Sequence, residues 1–253
     1  MLALASSSAA TRVWNGGTNL NYNEGANWSG GAVPNGIDSG VLNGGGTGVT
    51  NLNGGVTPIT ANALNVRAGH FFNINNDGGT LNINANINMG RGLTGNGSTI
   101  EHSAGSLNIG GLDMSGNPTG GTSFYRLSGT ASLSVIALES RDFDIGGSPG
   151  SGDFEATFAI EGDSATVTLN ATPIVLRSSS ILEFTLGSTG IDAIDSTGLF
   201  TIEPKAELKI DGSAYTGGEA TIPLFTYGSR TNPAEFTETI VGFSGFDLSL
   251  IHI

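Results

Sequence analysis

The sequence predicts an all-β chain wound as a solenoid. Three observations carry this: a segment that recurs at a fixed interval, a strict two-residue alternation, and turn chemistry along the whole chain. The recurring segments are Gly79-Thr80-Leu81-Asn82-Ile83, Gly105-Ser106-Leu107-Asn108-Ile109 and Thr130-Ala131-Ser132-Leu133-Ser134-Val135, in which Leu81, Leu107 and Leu133 lie 26 residues apart. A constant interval returns the chain to the same side after each circuit. Like residues then stack, and units too thin to fold alone share one core.

Each repeat has inner structure. Phe72 and Ile74 precede Leu81 and Ile83, Ile100 precedes Leu107, and Leu127 precedes Leu133, so the unit reads strand, turn, strand. In residues 81–89, Leu81, Ile83, Ala85, Ile87 and Met89 alternate with Asn82, Asn84, Asn86 and Asn88. Period two puts the apolar set inside and predicts all four asparagines on one outer face. Weaker copies follow at Phe158-Ala159-Ile160 with Ala165-Thr166-Val167-Thr168-Leu169, and at Phe200-Thr201-Ile202 with Ala206-Glu207-Leu208-Lys209-Ile210. Their spacing widens from Leu133 to Val167 and on to Leu208, which predicts either inserted loops or the end of the regular coil.

Composition supports a turn-rich but foldable chain. Glycine is 41 of 253 residues, well above the usual share of about 7%. Asn-Gly pairs at residues 15, 35, 43, 53 and 96 tolerate the positive φ that tight turns need. Residues 1–100 hold nineteen asparagines, three acids and three basic residues; residues 101–253 hold four, nineteen and six, which places the whole net charge of −13 in the second part. An acidic surface of this kind disfavours nucleic acid and anionic lipid as partners. The simplest reading of the acids is solubility, keeping a long β-surface from self-pairing; the alternative is cation-dependent adhesion or matrix binding. Cysteine is absent, which excludes disulfides and thiolate metal sites. No segment reaches the roughly 18 apolar residues of a membrane helix.

The opening Val13-Trp14-Asn15-Gly16-Gly17, then Asn27-Trp28-Ser29-Gly30-Gly31, Val33-Pro34-Asn35 and Asp38, resembles the start of large secreted bacterial proteins with autotransporter-type β-strand repeats and a PEP-CTERM sorting signal, of the planctomycete and verrucomicrobial type. The later run from Leu182-Glu183-Phe184 through Ala206 to Asp211, Ile222-Pro223-Leu224-Phe225 and Ile240-Val241-Gly242-Phe243 resembles the region before that signal. The resemblance implies a right-handed parallel β-helix, export, and attachment to the cell surface or extracellular matrix. It implies no catalytic residue. It also implies that Trp14 and Trp28 cap the first coil; the alternative for these rings is a sugar-stacking platform.

On this reading residues 1–10 are a signal-peptide remnant ending in Ser8-Ala9-Ala10, residues 11–45 an N-terminal cap, 46–180 the β-helix repeats and 181–248 a less regular C-terminal β region. Met1 reads as an internal start, and residues 249–253 as a translation artefact of a fragment, so His252 carries no weight. The family's anchor, a Pro-Glu-Pro element with an apolar helix, is not in the sequence. Membrane attachment is therefore expected only through a segment outside it. Asn27-Trp28-Ser29 matches a glycosylation sequon, read as coincidence in a bacterial protein.

Parallel β-helices also carry polysaccharide lyases and glycosidases, so an enzyme is the rival class. Its best candidate is Glu139, Arg141, Asp142 and Asp144: alternation would set Asp142 and Asp144 on one face as a carboxylate pair or Ca²⁺ site, with Arg141 for a uronate. The segment runs into Gly146-Gly147-Ser148-Pro149-Gly150-Ser151-Gly152-Asp153, and a solvated acidic turn is the simpler reading. His70 and His102 lack a second ligand at zinc spacing and read as coil-surface histidines. No Gly-x-Ser-x-Gly elbow, calcium nonapeptide array or phosphate loop is present; Asn43-Gly44-Gly45-Gly46-Thr47-Gly48 is a turn. The expectation is an extracellular scaffold or adhesin segment without catalysis or cofactor, meeting polysaccharide or other surface components through polar ladders. The alternatives are a polysaccharide-active enzyme, with Ca²⁺ as its cation, or a carbohydrate-binding module using Trp14, Trp28 or the asparagine face.

Overall fold

The computed structural model describes residues 8–16, 19–42, 48–53, 58–67, 69–90, 97–114, 121–136, 143–146, 154–170, 173–191, 193–218, 221–230 and 236–242. They form a parallel β-solenoid of about seven turns, with no α-helix. Every pairing between the described strands is parallel and joins one circuit to the next, so three sheets run along the axis as three faces of a prism whose interior is filled by side chains.

The first face stacks Val49–Asn53, residues 71–75, 99–102 and 124–127, then Phe154–Glu161, Ser180–Thr185, Glu207–Asp211 and Thr237–Val241. The second face stacks Ile59–Ala61, residues 80–83, 106–109 and 132–135, then Thr166–Asn170 and Ile194–Ser196. The third runs from Thr11–Val13 through Ser39–Leu42, Ala63–Val66, residues 87–89 and 112–114, to Phe143–Ile145, Ile174–Leu176, Leu199–Ile202 and Ser229–Arg230. Three strands, Phe71–Met89, Ser98–Met114 and Gly121–Ile136, are long enough to bend around a corner without breaking.

Alternation works as the pattern demands. On the second face Ile59, Leu81, Leu107, Leu133, Val167 and Ile194 form one inward column, and Leu81, Leu107 and Leu133 are at most 1% exposed. Burying each leucine contributes on the order of 1.5–3 kcal/mol, and the column shares that gain along the axis. Inward columns on the first face are just as dry: Phe72, Ile100, Tyr125 and Phe158 lie in register and are all buried.

The corners need other residues. Gly78, Gly105, Gly129 and Gly162 all have positive φ where successive circuits leave the first face. A side chain at Gly105 would strike the Asn76 carbonyl, and one at Gly129 would lie 2.5 Å from the Ser103 carbonyl oxygen. The corner entering the first face takes small residues instead: Ser98, Ser123, Ala156 and Ser180 stack there, all buried.

Two expectations change. The strand at 81–89 turns a corner, marked by a register shift between Ile83 and Asn86, so its asparagines are not on one outer face: Asn82 lies on the second and Asn88 on the third. The copy at residues 200–210 is displaced by one face as well. Phe200 pairs with Ile174 on the third face and Leu208 with Leu182 on the first, while Val167 does stand in register with Leu133. The widened interval before Val167 is an insertion within one circuit. Each face carries similar alternating pairs, so alternation identifies a strand without saying which face it joins.

The N-terminal end is filled by rings. Trp14 and Trp28 meet in an antiparallel bridge with ring centroids 5.2 Å apart, and Tyr22 packs edge-on to Trp28 and stacks on Phe72. Gly40 holds an inward position paired with Leu64, where a side chain would come within 3.4 Å of the Trp28 ring; its absence leaves room for the indole. Arg12 Nε donates to the buried Asp38 carboxylate at 3.1 Å, and the Ala10 amide donates to the same group at 2.8 Å. Asn27 is buried with its amide nitrogen donating to Asn19 and Asn21, which closes the sequon to a glycan.

Candidate functional site

Glu139, Arg141 and Asp142 lie outside the described residues. Asp144 lies on the third face in register between Asp113 and Val175. Its backbone is thus in register with the row of Asn65, Asn88 and Asp113. Among the described residues no group of three or more His, Asp or Glu side chains could hold a metal ion. No helix among them is long and apolar enough to cross a membrane.

The two histidines are not on the coil surface. His70 is 1% exposed with Nε2 2.8 Å from Thr50 Oγ1, and His102 is fully buried. His102 takes an inward place between Ile74 and Leu127. Its Nε2 lies 3.0 Å from the Gly105 carbonyl, which can only accept, so Nε2 carries the proton and Nδ1 accepts from the Tyr125 hydroxyl at 3.1 Å. Burial lowers its pKa to about 4, so the ring is neutral. These bonds satisfy a polar ring inside an apolar column, a use that neither residue type nor spacing revealed. Trp14 and Trp28 are each 1% exposed, which removes both as a sugar-stacking platform.

On the first face Asn51, Asn73, Glu101, Arg126, Ala159, Glu183 and Lys209 form the outward row. Arg126 reaches across Ala159 to Glu161 at 2.6 Å and stands 3.8 Å from Glu101. Hydrogen bonding to Glu161 raises the arginine's pKa; burial raises that of Glu101 while Arg126 pulls it down. With two carboxylates already on it, this guanidinium is engaged within the fold.

The second face is chemically different. Its outward row is Thr60, Asn82, Asn108, Ser134, Thr168 and Asp195: amides and hydroxyls at the rise of the coil, about 4.8 Å per step, closing on one carboxylate. Asn108 Nδ2 donates to Asn82 Oδ1 at 3.0 Å. Beside this row runs a shallow groove of about 280 Å³, lined by Asn82, Ile83, Asn84, Asn108, Ile109, Gly110 and Ile136. Asn84 Nδ2 donates to the Gly36 carbonyl at 2.9 Å, which sets a turn of the N-terminal region against this side. Ile136 is half exposed, and among the described residues no ionisable side chain lines the groove. The sequence carried a signal for it: Asn82 and Asn108 share the 26-residue interval of the leucines beside them.

No protein-family model, no curated protein and no solved structure matches this chain.

Proposed function

We propose that this chain is a non-catalytic segment of a secreted or cell-surface bacterial protein of the autotransporter-repeat, PEP-CTERM type, working as a scaffold or adhesin whose polar ladders meet polysaccharide or other matrix components. The observation that carries the reading is the second face, where amides and hydroxyls repeat once per coil beside a groove whose described lining residues carry no charge. A repeated display suits adhesion to a repeating surface. Catalysis of glycan cleavage instead needs a carboxylate pair at fixed separation or a metal-assisted base. Nucleic acid is not a partner of a surface with net charge −13.

The register of Asp144 beside Asp113 is the one observation that favours a polysaccharide-active enzyme, with Ca²⁺ as a candidate cation. One assay separates the two. Incubation with pectin, alginate or chitin, with and without Ca²⁺, is expected to release no reducing ends and no unsaturated uronates. Turnover that disappears in Asp142→Ala or Asp144→Ala replaces the scaffold reading with the enzyme.

A further inference from the structure

We infer that the groove along the second face binds a neutral, extended polysaccharide laid parallel to the solenoid axis, with Asn82, Asn108 and Ile136 as its contact residues. This rests on the adhesive reading above and gives it a ligand class. The first support is hydrogen-bond polarity. Asn108 donates to Asn82, and among the described residues no other partner is found for the Asn82 amide nitrogen or the Asn108 amide oxygen. The pair therefore offers a donor at one end and an acceptor at the other, one coil apart. Two hydroxyls of a sugar, one accepting and one donating, answer that pattern.

Charge gives the second support. Among the described residues the lining holds amides, a glycine and isoleucines, with no carboxylate, lysine or arginine. Among these described residues a uronate or sulfated chain would find no cation and a cationic chain no anion, whereas a neutral polyol loses nothing. Ile136 stands half exposed at the rim, an apolar surface for the C–H face of a pyranose.

Periodicity is the third. Thr60, Asn82, Asn108, Ser134 and Thr168 advance by one coil at a time. That rise of about 4.8 Å is close to the length of one sugar in an extended β-linked chain, so successive rings meet successive polar side chains. A volume of about 280 Å³ is small beside a closed ligand pocket. It suits part of a ligand that continues along the ladder.

The test uses the full chain with cellohexaose and laminarihexaose as neutral probes and hexagalacturonate as the anionic one, read by calorimetry and by gel retention on the matching polymers. Binding of a neutral probe, stronger for the hexaose than for the disaccharide, is the expected result, with none for hexagalacturonate. Asn82→Ala with Asn108→Ala should weaken it about tenfold, the effect of one or two hydrogen bonds; Ile136→Ser should weaken it several-fold. The control is Asn65→Ala with Asn88→Ala on the third face, where Asn88 donates to Asn65 at 3.1 Å in the same amide pairing away from the groove; it should bind like the parent. Thermal melts of each variant separate lost binding from lost fold. Absence of neutral binding, preference for the anionic probe, or equal loss in the control overturns the inference and leaves the scaffold reading standing. Cleavage of a bound probe would do the reverse, removing the non-catalytic reading while the groove remains.

Discussion

The two ends of the described solenoid solve one problem by opposite means. A stack of parallel strands presents an unpaired edge at each end, and such edges recruit further strands. At the N-terminal end Trp14, Tyr22 and Trp28, each at most 1% exposed, cover the first coil. Toward the C-terminal end Phe200, Phe225, Tyr227 and Phe236 also cluster, with Phe200 5.3 Å from Tyr227. Tyr227 and Phe236 keep 7% and 8% of their surface. The last strands there break the inward columns with charge: Glu238 follows Leu208 on the first face, and Arg230 follows Phe200 on the third. One end is covered by rings; the other places charged residues where the next coil would need apolar ones.

The middle of the stack is where the same charge does most harm. Leu107→Asp puts a carboxylate between Leu81 and Leu133 with no counter-charge in the column, at a cost of about 4 kcal/mol or more. Urea unfolding should show a large drop in midpoint or no folded protein. A variant that melts like the parent would mean that the columns do not carry the stability assigned to them.

Rings at the two ends should differ next. Trp28→Ala removes a fully buried indole and its hydrogen bond to the Tyr22 carbonyl, and should cost about 3–5 kcal/mol. Phe236→Ala, in a looser cluster, should cost about 2 kcal/mol. Equal losses in chemical denaturation would show the two ends to be covered alike.

Acid should act on the body before it acts on the cap. His102 is a base whose folded pKa of about 4 lies below its ordinary 6.5. The unfolded chain therefore takes up a proton first as pH falls. The stability tied to the neutral ring is complete above pH 6.5 and is lost between 6.5 and 4, by about 3 kcal/mol. Asp38 behaves as a carboxylate held down chiefly by the Ala10 amide, so its contribution is present above its ordinary pKa of 3.8 and is lost only below that. His102→Leu, between Ile74 and Leu127, should flatten the melting temperature across pH 6.5 to 4. Its cost at neutral pH should be about 1–2 kcal/mol, from the Tyr125 hydroxyl and Gly105 carbonyl left without partners.

These differences explain what the sequence revealed. Leu81, Leu107 and Leu133 were legible because one interval and one residue type coincide, and stacking makes that coincidence physical. The face of Leu208 was not, since alternation is the same on all three faces and circuits differ in length: Phe71 to Thr99 spans 28 residues and Thr157 to Ile181 only 24. The groove was half legible. Asn82 and Asn108 carry the repeat interval, but the corner that parts Asn82 from Asn88, and the exposure of Ile136, depend on where the strand bends. His102 was invisible because its partners, Tyr125 and Gly105, sit on the next coil and at the corner just after it, and neither placement shows in residue type or spacing.

The smallest effect on stability tests the C-terminal end most directly. Glu238 stands in register with Leu208, in the inward column, yet is exposed because no described strand lies beyond it. Replacing it with leucine removes a solvated charge and buries little within one chain, so the unfolding free energy should stay within about 0.5 kcal/mol of the parent. The edge formed by Thr237–Val241 changes character all the same. With Ile240 already on the same inward side, Glu238→Leu lengthens an apolar strip on a strand whose outer edge no described strand pairs, the pattern that invites edge pairing. Sedimentation should then show concentration-dependent association of the variant and none of the parent, while Glu238→Gln, polar but uncharged, should fall between them. If Glu238→Leu stays as monodisperse as the parent, the charge does not guard that edge, and the looser aromatic cluster of Phe225, Tyr227 and Phe236 is what closes the C-terminal end.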